Sequence, residues 1–332
     1  MNIKEITSPE RNAQSIISDL KYKTVSVKPW ALLRKEYEPK EHPVMTDKTY
    51  KDKVTKRGIE KVTRYTLGLQ KLAVKRMTEL MFAIPVQRIY KPENDQEKQV
   101  AEIMEAIFQK NRIDSLNIDR GKSLFASCET ITLWYSQEQE TVYAGQKSLL
   151  KLRCKNYSPM KGDKLYPLFD EYDDMIALSI EYTRKEGVNT ITYFDTYTAD
   201  EHIRWRTGVG ETVEELREKI EVGKITGVYI HRDEPIWEDQ SGNVYEAEWT
   251  LSRNGNYIRK NARPNWVVFS DGKVKFGQEP TNDNAGRNVL QYGQNDKAEY
   301  KTWQQAIDSI KFHVVEIKKD FFMQLQLPDM SM

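Results

Sequence analysis

The sequence of 332 residues is poor in cysteine and has no hydrophobic run of membrane-spanning length. Its two cysteines, Cys128 and Cys154, cannot build a disulfide framework, and their apolar or strand-like surroundings favour buried free thiols. A membrane span needs about 18 consecutive apolar residues, and the first residues lack the apolar centre of a signal peptide. We therefore expect a soluble protein made in a reducing compartment, with no membrane partner.

An excess of charge of either sign is also missing. Lysine and arginine number 51 against 50 aspartate and glutamate residues, which gives a net charge of +1. Proteins that grip phosphates usually carry a basic excess. The balance argues against a tight nucleic-acid clamp, but it is compatible with a channel through which DNA slides.

The signatures of common catalytic sites are absent as well. The four histidines, His42, His202, His231 and His313, have no second histidine or cysteine at metal-ligand spacing. No Walker loop, dinucleotide fingerprint or nucleophile elbow is present. Gly208-Val209-Gly210 lacks a third glycine, so we interpret it as a turn. The sequence predicts no catalytic residue, no metal and no cofactor.

One acidic run keeps an enzymatic alternative open. The residues Asp170-Glu171-Tyr172-Asp173-Asp174 could gather carboxylates around Mg²⁺, as two-metal nucleases do. Adjacent residues on a strand or turn point in different directions, which favours a solvated turn instead. The alternative hypothesis is a metal-dependent hydrolase that processes nucleic acid with Asp170–Asp174.

Helical periodicity dominates the first third of the chain. Ser8-Pro9-Glu10 has the capping hydroxyl and proline of a helix start, and Pro92 and Asp114 give similar signals. We predict helices over 8–20, 59–82, from 92 onwards and over 114–126, with 21–60 as an extended arm ordered by its neighbours.

From Thr130 onwards the apolar period changes to two, which predicts strands. The predicted strands cover 130–135, 142–143, 149–154, 177–183, 189–197 and 202–205. A short charged helix is predicted from Thr212, and hairpin turns at Gly242-Asn243 and Asn254-Gly255-Asn256 between strands near 236–259. Later we predict two strands over 267–276 around an Asp-Gly turn, a polar loop over 282–287, and strands over 289–291 and 298–302. Segregated helices and antiparallel strands predict an α+β fold with N-terminal helices, a strand-rich block, a small β region and a long last helix.

The last helix carries a narrow apolar stripe. Its members recur at three- and four-residue steps and are Ile307, Ile310, Val314, Ile317 and Phe321. Such a seam suits packing against another long helix, including one from another subunit. Lys311, Lys318 and Lys319 lie off the stripe, either as a solvated face or as a basic lining that touches a passing polyanion. The ending Leu327-Pro328-Asp329 resembles the start of another element, so we interpret the chain as part of a longer protein.

Several segments resemble the N-terminal wing of tailed-bacteriophage portal proteins of the siphophage type. They occur in the family's order and are Ile84–Arg88, Lys110–Asn117, Ala126–Thr130, Leu168–Asp174 with the following strand Ala177–Tyr182, and Tyr197–Asp200. The final helix after Trp303, with Leu-Pro-Asp-Met-Ser, is similar to the clip-to-stem passage. The likeness is spread over most of residues 60–332.

This resemblance implies a structural subunit without catalytic activity. In the family the portal is a ring, dodecameric, that forms the DNA entry and exit channel at one capsid vertex. The implied partners are further copies of the chain, the large terminase subunit, the head–tail connector or adaptor, a capsid or scaffold protein, and double-stranded DNA that passes non-specifically. The implied location is the virion, after assembly in the host bacterial cytoplasm. A third hypothesis is another head-assembly or adaptor protein with a similar topology.

The residue patterns and the resemblance together predict a division of the chain. Residues 1–60 would form an N-terminal arm, 61–128 the helical part of the wing, 129–260 its antiparallel β-rich part, 261–303 a clip-like small β region, and 304–332 a truncated stem-like helix. The family has a long stem helix before the clip. Only Ser252 to Asn265 remains for it here, and 14 residues rise only about 21 Å as an α-helix. We therefore predict that the first stem helix and the C-terminal crown are lacking.

Overall fold

The computed structural model describes residues 3–22, 25–55, 58–187, 189–208, 211–261, 265–269, 275–278, 288–291, 297–301 and 307–327. The chain divides into two compact units. Unit 1 comprises Met1–His42, Gly68–Ser241 and Phe321–Met332, and unit 2 comprises Pro43–Leu67 and Gly242–Asp320.

The helices lie mostly in the first third and the last quarter of the chain. They are α1 (Ile3–Ile6), α2 (Ala13–Leu20), α3 (Trp30–Tyr37), α4 (Pro43–Thr46), α5 (Leu69–Phe82), α6 (Asp95–Lys110), α7 (Ile113–Ser127), α8 (Ser241–Asn261) and α9 (Ile307–Gln324). Short 3-10 turns cover Pro39–Glu41 and Pro159–Lys161.

The chain has two larger antiparallel sheets, built from the strands between α7 and α8, and three separate strand pairs. The strands are β1 (Lys53–Thr55), β2 (Gly58–Glu60), β3 (Glu129–Tyr143), β4 (Gln146–Tyr157), β5 (Lys164–Phe169), β6 (Met175–Glu186), β7 (Asn189–Tyr197), β8 (Glu201–Thr207), β9 (Thr212–Lys219), β10 (Gly227–His231), β11 (Asn265–Phe269), β12 (Lys275–Gln278), β13 (Asn288–Gln291) and β14 (Lys297–Lys301). One sheet has the order β5-β6-β7-β8-β9 and the other β10-β3-β4, while β1–β2, β11–β14 and β12–β13 pair separately. The predicted α+β class is confirmed.

The five-stranded sheet is buried on both faces. One face packs with apolar residues of α1 and α2 around the fully buried Trp205, and the other packs with residues of β3 and β4. Because side chains alternate along a strand, β6 sends Ala177 to the first face and Leu178 and Ile180 to the second. Two cores therefore share one sheet.

A buried carboxylate lies on the second face of this sheet. Asp195 is 2% exposed and accepts a hydrogen bond from Tyr182 Oη at 3.0 Å. Arg204 donates to the same carboxylate from Nε at 2.8 Å and from Nη2 at 3.1 Å. His202 Nε2 lies 3.9 Å from Asp195 Oδ2, which is too long for a hydrogen bond. The carboxylate is thus satisfied by its neighbours on β6 and β8.

In unit 2, three side chains of α8 hold an extended segment through its backbone. Glu248 Oε1 accepts from Leu67 N at 2.7 Å, Ser252 Oγ from Tyr65 N at 2.8 Å, and Asn256 Oδ1 from Thr63 N at 2.6 Å. We call Glu248, Ser252 and Asn256 the polar ladder.

The spacing of the polar ladder follows from helix and strand geometry. Its members are four residues apart, a rise of about 6 Å along a helix, while every second amide of an extended chain is about 6.6 Å apart. Gly255 lets the two segments approach, since a Cβ there would lie 2.8 Å from Thr63 Cγ2. The ladder therefore replaces the strand or helix partners that this segment's backbone lacks.

Two predictions about residues 236–261 are wrong for this reason. The expected hairpin strands and their turns at 242–243 and 254–256 are replaced by α8, because Asn256 and Gly255 serve packing and not a turn. The predicted absence of a long helix before the small β region is also wrong. With 21 residues, α8 rises about 31 Å.

Other predicted elements differ at their ends or in type. The first long helix begins at Ala13 with Asn12 as its cap, not at Ser8, and the 59–82 helix begins only at Leu69. The charged segment from Thr212 is β9, because it pairs with β8 and extends the sheet. The arm over 21–60 contains α3 and α4, and Leu33 is fully buried.

Several strands were missed or joined. β5 and β10 were not predicted, and the two strands expected over 130–143 are the single strand β3. The strands predicted over 267–276 pair with β14 and β13 and not with each other. The Asp-Gly turn at 271–272, the loop at 282–287 and residues 209–210 lie outside the described residues. The strands predicted at 189–197, 289–291 and 298–302 are confirmed.

Candidate functional site

The apolar stripe of α9 is only partly covered. Phe321 is fully buried and Val314 is 8% exposed, whereas Ile310 and Ile317 are half-buried. The side chain of Ile307 lies outside the described residues. The half-buried side chains of Ile310 and Ile317 leave apolar surface for a further contact.

The C-terminal end of α9, from Phe321 onwards, belongs to unit 1 and makes aromatic contacts within it. Phe322 is buried and meets Phe321 edge-on, with ring centroids 5.4 Å apart. The guanidinium of Arg76 on α5 lies 4.5 Å from the Phe322 ring centroid, which is within the range of a cation–π contact. Sequence reasoning missed Phe322, which the three- and four-residue rule does not place on the stripe.

The three lysines proposed for a passing polyanion differ in exposure. Lys311 and Lys319 are exposed, and Lys318 is half-buried. Lys319 Nζ lies 3.9 Å from Glu316 Oε1, three residues earlier on the helix. Such an exposed pair contributes little to stability, so it leaves the lysine able to exchange its partner.

The acidic run forms a tight turn between β5 and β6. Asp170 Oδ1 accepts from the backbone N–H groups of Tyr172 and Asp174, both at 2.9 Å, and Asp173 adopts a left-handed φ of 63°. The side chains of Glu171, Tyr172, Asp173 and Asp174 are exposed. We call Asp170–Asp174 the acidic turn. Within the described residues, no group of three or more His, Cys, Asp or Glu side chains could hold a metal ion, so the hydrolase alternative finds no site in this turn.

A basic cleft lies beside the edge strand β4. It has a volume of about 490 Å³, and its lining residues are Lys110, Asn111, Arg112, Tyr135, Gln137, Arg153, Cys154 and Lys155. Four of these are cations and none is a carboxylate. We call this set the basic cleft.

Asn111 builds the cleft by fixing the α6–α7 turn to β4. Its Oδ1 accepts from Cys154 N at 3.0 Å, and its Nδ2 donates to Leu152 O at 3.0 Å. Arg112 follows with a left-handed φ of 51° and precedes α7. These contacts bring the cations of the turn next to Arg153 and Lys155.

The strand pairing supplies the other wall of the cleft. Tyr135 on β3 is the register partner of Arg153 on β4, so their side chains share one face. Lys155 lies 4.2 Å from the Tyr157 ring centroid, and burial lowers the pKa of its amine. Sequence reasoning missed the cleft, although the alternation Lys151, Arg153, Lys155 was a signal for a basic strand face.

Residues 27–332 match the family described as phage portal protein, SPP1 Gp6-like. The chain belongs to the phage portal protein family. A search of curated proteins found no match.

The family assignment confirms the resemblance seen in the sequence. Portal proteins are structural components of the virion that belong to the capsid and take part in packaging the viral genome. The match covers α3 to α9 and therefore includes both units, α8 and the strand pairs between α8 and α9. The portal assignment gives no support to the hydrolase or to a separate adaptor role.

The cysteines of this portal protein are poor nucleophiles. Burial raises the pKa of Cys128 to about 12 and that of Cys154 to about 11. Cys128 is buried as expected, whereas Cys154 is half-buried in the wall of the basic cleft. Because the thiolate is the reactive form, the raised pKa values keep both thiols in the less reactive protonated form near neutral pH.

The histidines have separate structural surroundings. His42 is buried with Nε2 2.8 Å from Glu36 O, and the ring of His202 stacks on Tyr197 at 4.3 Å. His231 Nε2 lies 4.0 Å from Asp233 Oδ1.

Among the helices that the structure describes, none has the length and apolarity needed to cross a membrane.

Proposed function

We propose that this chain is the subunit of the portal ring that forms the DNA entry and exit channel at the capsid vertex. The observation that carries the proposal is the family match over residues 27–332. The ring is dodecameric in this proposal, and it docks the large terminase subunit, the head–tail connector or adaptor, and a capsid or scaffold protein. It assembles in the host bacterial cytoplasm.

The order of elements after residue 240 supports a stem and a clip. α8 has 21 residues and α9 has 18, which correspond to about 31 and 27 Å of helix. The strand pairs β11–β14 and β12–β13 come between them in the sequence. We assign α8 and α9 to the stem, 261–303 to the clip, and 61–128 with the strands after it to the wing.

The partly covered stripe of α9 gives a test of assembly. Replacing Ile317 with aspartate is expected to weaken assembly about tenfold or more, since a charge would enter a half-buried apolar seam. The measurement is sedimentation of the wild type and the variant over a concentration series. Val315→Asp, which adds the same charge at an exposed position of α9, serves as the matched control.

Two outcomes would count against the stem assignment of α9. One is unchanged sedimentation together with unchanged melting of Ile317→Asp. The other is equal loss of assembly in Ile317→Asp and Val315→Asp, because the effect would then depend on charge and not on the stripe.

The near-neutral charge predicts weak DNA binding. A channel that held phosphates tightly would stall the DNA, and a net charge of +1 gives the chain little overall attraction for a polyanion. At physiological salt we expect duplex affinity no tighter than about 1 µM, the range of non-specific binding. The salt dependence is the slope of the logarithm of the association constant against the logarithm of the salt concentration. Replacing Lys311, Lys318 and Lys319 with glutamine should make this slope shallower by up to about one unit per lysine.

Filter binding at several salt concentrations measures both quantities. The matched control replaces three exposed lysines outside α9, Lys40, Lys48 and Lys51, with glutamine. A larger loss of slope in the control set would contradict the channel-facing role of the α9 lysines. Tight binding at physiological salt would favour a nucleic-acid-processing protein instead.

A further inference from the structure

The acidic turn presents exposed side chains of a kind that could bind another protein surface. Tyr172 is 78% exposed at the turn, between Glu171 and Asp173. The carboxylate of Asp170 fixes the turn through two backbone hydrogen bonds, so the exposed side chains extend from a preorganised loop. Among the described residues, the side chains of Glu171, Tyr172 and Asp174 make no hydrogen bond or ion pair. Tyrosine is one of the residue types in which interface hot spots are enriched.

The basic cleft has the complementary chemistry. Its volume of about 490 Å³ lies in the range of pockets that take small ligands, which gives room for a phenol ring and its neighbouring carboxylates. Arg112 and Arg153 have no carboxylate partner among the described residues. Tyr135 adds an aromatic wall, and guanidinium groups also bind the faces of tyrosine rings.

We propose that the acidic turn of one copy of this chain inserts into the basic cleft of the next copy. The inference rests on the proposed ring and specifies one of its subunit contacts. Turn and cleft are unlike surfaces, so their contact is heterologous and repeats head-to-tail. Heterologous contacts of this kind close into a ring when the rotation between copies allows it.

The roles of the individual groups follow from their chemistry. Tyr172 enters the cleft and contacts Arg153 and Tyr135. Glu171 also faces Arg153, and Asp174 faces the other cations of the cleft, where opposite charges direct encounter and fix the register of the two copies. The contact is therefore sensitive to salt, because partly exposed charge pairs are screened.

Charge reversal on each side tests the contact. Glu171→Lys and Arg153→Glu are each expected to weaken self-association about tenfold at physiological salt, because each places like charges opposite each other. A chain that carries both substitutions restores an opposite pair between neighbouring copies and should return to within about threefold of the wild type. Sedimentation over a concentration series gives the association constants.

A matched control separates position from charge. Glu138 lies exposed on β3, and its register partner is Leu150, on the face opposite that of Tyr135 and Arg153. Glu138→Lys makes the same change of charge as Glu171→Lys. We expect its self-association to equal that of the wild type within about twofold.

The possible results separate a failure of the proposed contact from a failure of the proposed ring. A wild type that stays monomeric at all concentrations overturns both the ring and the contact. A wild type that assembles while both single variants assemble equally well overturns the contact alone. Failure of the double variant to recover also overturns it, since the two surfaces would then not face each other. Loss of duplex binding by Arg153→Glu without loss of assembly would assign the cleft to nucleic acid and overturn the contact.

Cross-linking gives a second measurement that does not depend on charge. In a Cys154→Ser background, Tyr172→Cys and Gln137→Cys together place one exposed thiol in the turn and one in the cleft. Mild oxidation should give a ladder of covalent oligomers on a non-reducing gel, while each single cysteine variant gives none. A ladder missing from the double variant under assembling conditions contradicts the contact.

Discussion

Replacing Asp195 with alanine is expected to lower the free energy of unfolding by about 3 kcal/mol, the lower end of the range for breaking a buried ion pair. The carboxylate is 2% exposed and accepts hydrogen bonds from Tyr182 and Arg204. Alanine leaves the guanidinium and the tyrosine hydroxyl without their acceptor. The lower end applies because the Arg204 side chain is 28% exposed and water can reach it.

Urea unfolding of the purified variants measures this effect. Asp195→Asn is the matched control, since it keeps the shape and one acceptor oxygen and should lose less stability than alanine does. A loss below about 1 kcal/mol for alanine, the net value of one ordinary hydrogen bond, would show that the buried network does not support the sheet.

The same carboxylate makes stability depend on pH. Burial alone would raise the pKa of Asp195, but its interactions with His202 and Arg204 outweigh burial and hold the pKa below the ordinary value. The stabilisation is therefore complete above the unfolded pKa of about 3.9 and is lost as the pH falls through the folded pKa. We expect wild-type stability to decline below about pH 4 and Asp195→Asn to decline less steeply. Parallel declines would contradict the assignment.

Removing the polar ladder is the second change with a large expected effect. The variant Glu248→Ala/Ser252→Ala/Asn256→Ala leaves three backbone N–H groups of Thr63, Tyr65 and Leu67 without acceptors. The Leu67 hydrogen bond is buried and the other two are partly buried. A buried unsatisfied N–H costs about 1–3 kcal/mol, and a partly buried one costs less because water can replace the acceptor, so we expect a total loss of about 3 kcal/mol. The loss should fall on unit 2, because the ladder and the segment both belong to it.

Hydrogen exchange at these amides reports the effect locally. We expect exchange at Thr63, Tyr65 and Leu67 to accelerate about tenfold or more in the variant, which corresponds to about 1.4 kcal/mol of local stability. Thr250→Ala is the control, since among the described residues Thr250 Oγ1 bonds only to Glu246 Oε1, at 3.5 Å within the same helix. Unchanged exchange at all three amides would show that α8 does not hold the segment.

The sequence predicted those elements whose pattern depends on local geometry. β7 was predicted over Asn189–Tyr197 with the observed ends, because alternation of side chains is a property of a single strand. The last helix was predicted for the same reason, since the spacing from Ile310 to Phe321 needs only the helical repeat.

Elements that depend on distant partners were mispredicted. Gly255 and Asn256 are turn formers by local preference, but contacts with Thr63 place them inside α8. Glu214 favours a helix start locally, whereas β9 forms because it pairs with β8 and because Arg217 joins Glu201 at 2.7 Å. Tertiary contacts override local propensity at these positions.

The residues of the candidate site show the same difference between local patterns and distant contacts. The stripe and the lysines of α9 could be placed on one helix from their spacing alone. The basic cleft could not be predicted, because Asn111 brings a helix turn to a strand about 40 residues later through two side-chain bonds. The acidic turn was located correctly, but the exposure of Tyr172 became visible only in the folded chain.

The central claim is that this chain acts by shape, as one segment of a closed ring around DNA. Electron microscopy of the purified, assembled protein tests it most directly, combined with the particle mass. We predict closed rings with a central opening wide enough for duplex DNA and a mass twelve times the subunit mass of 39.0 kDa. Monomers at every concentration, or open filaments without a channel, would contradict the account.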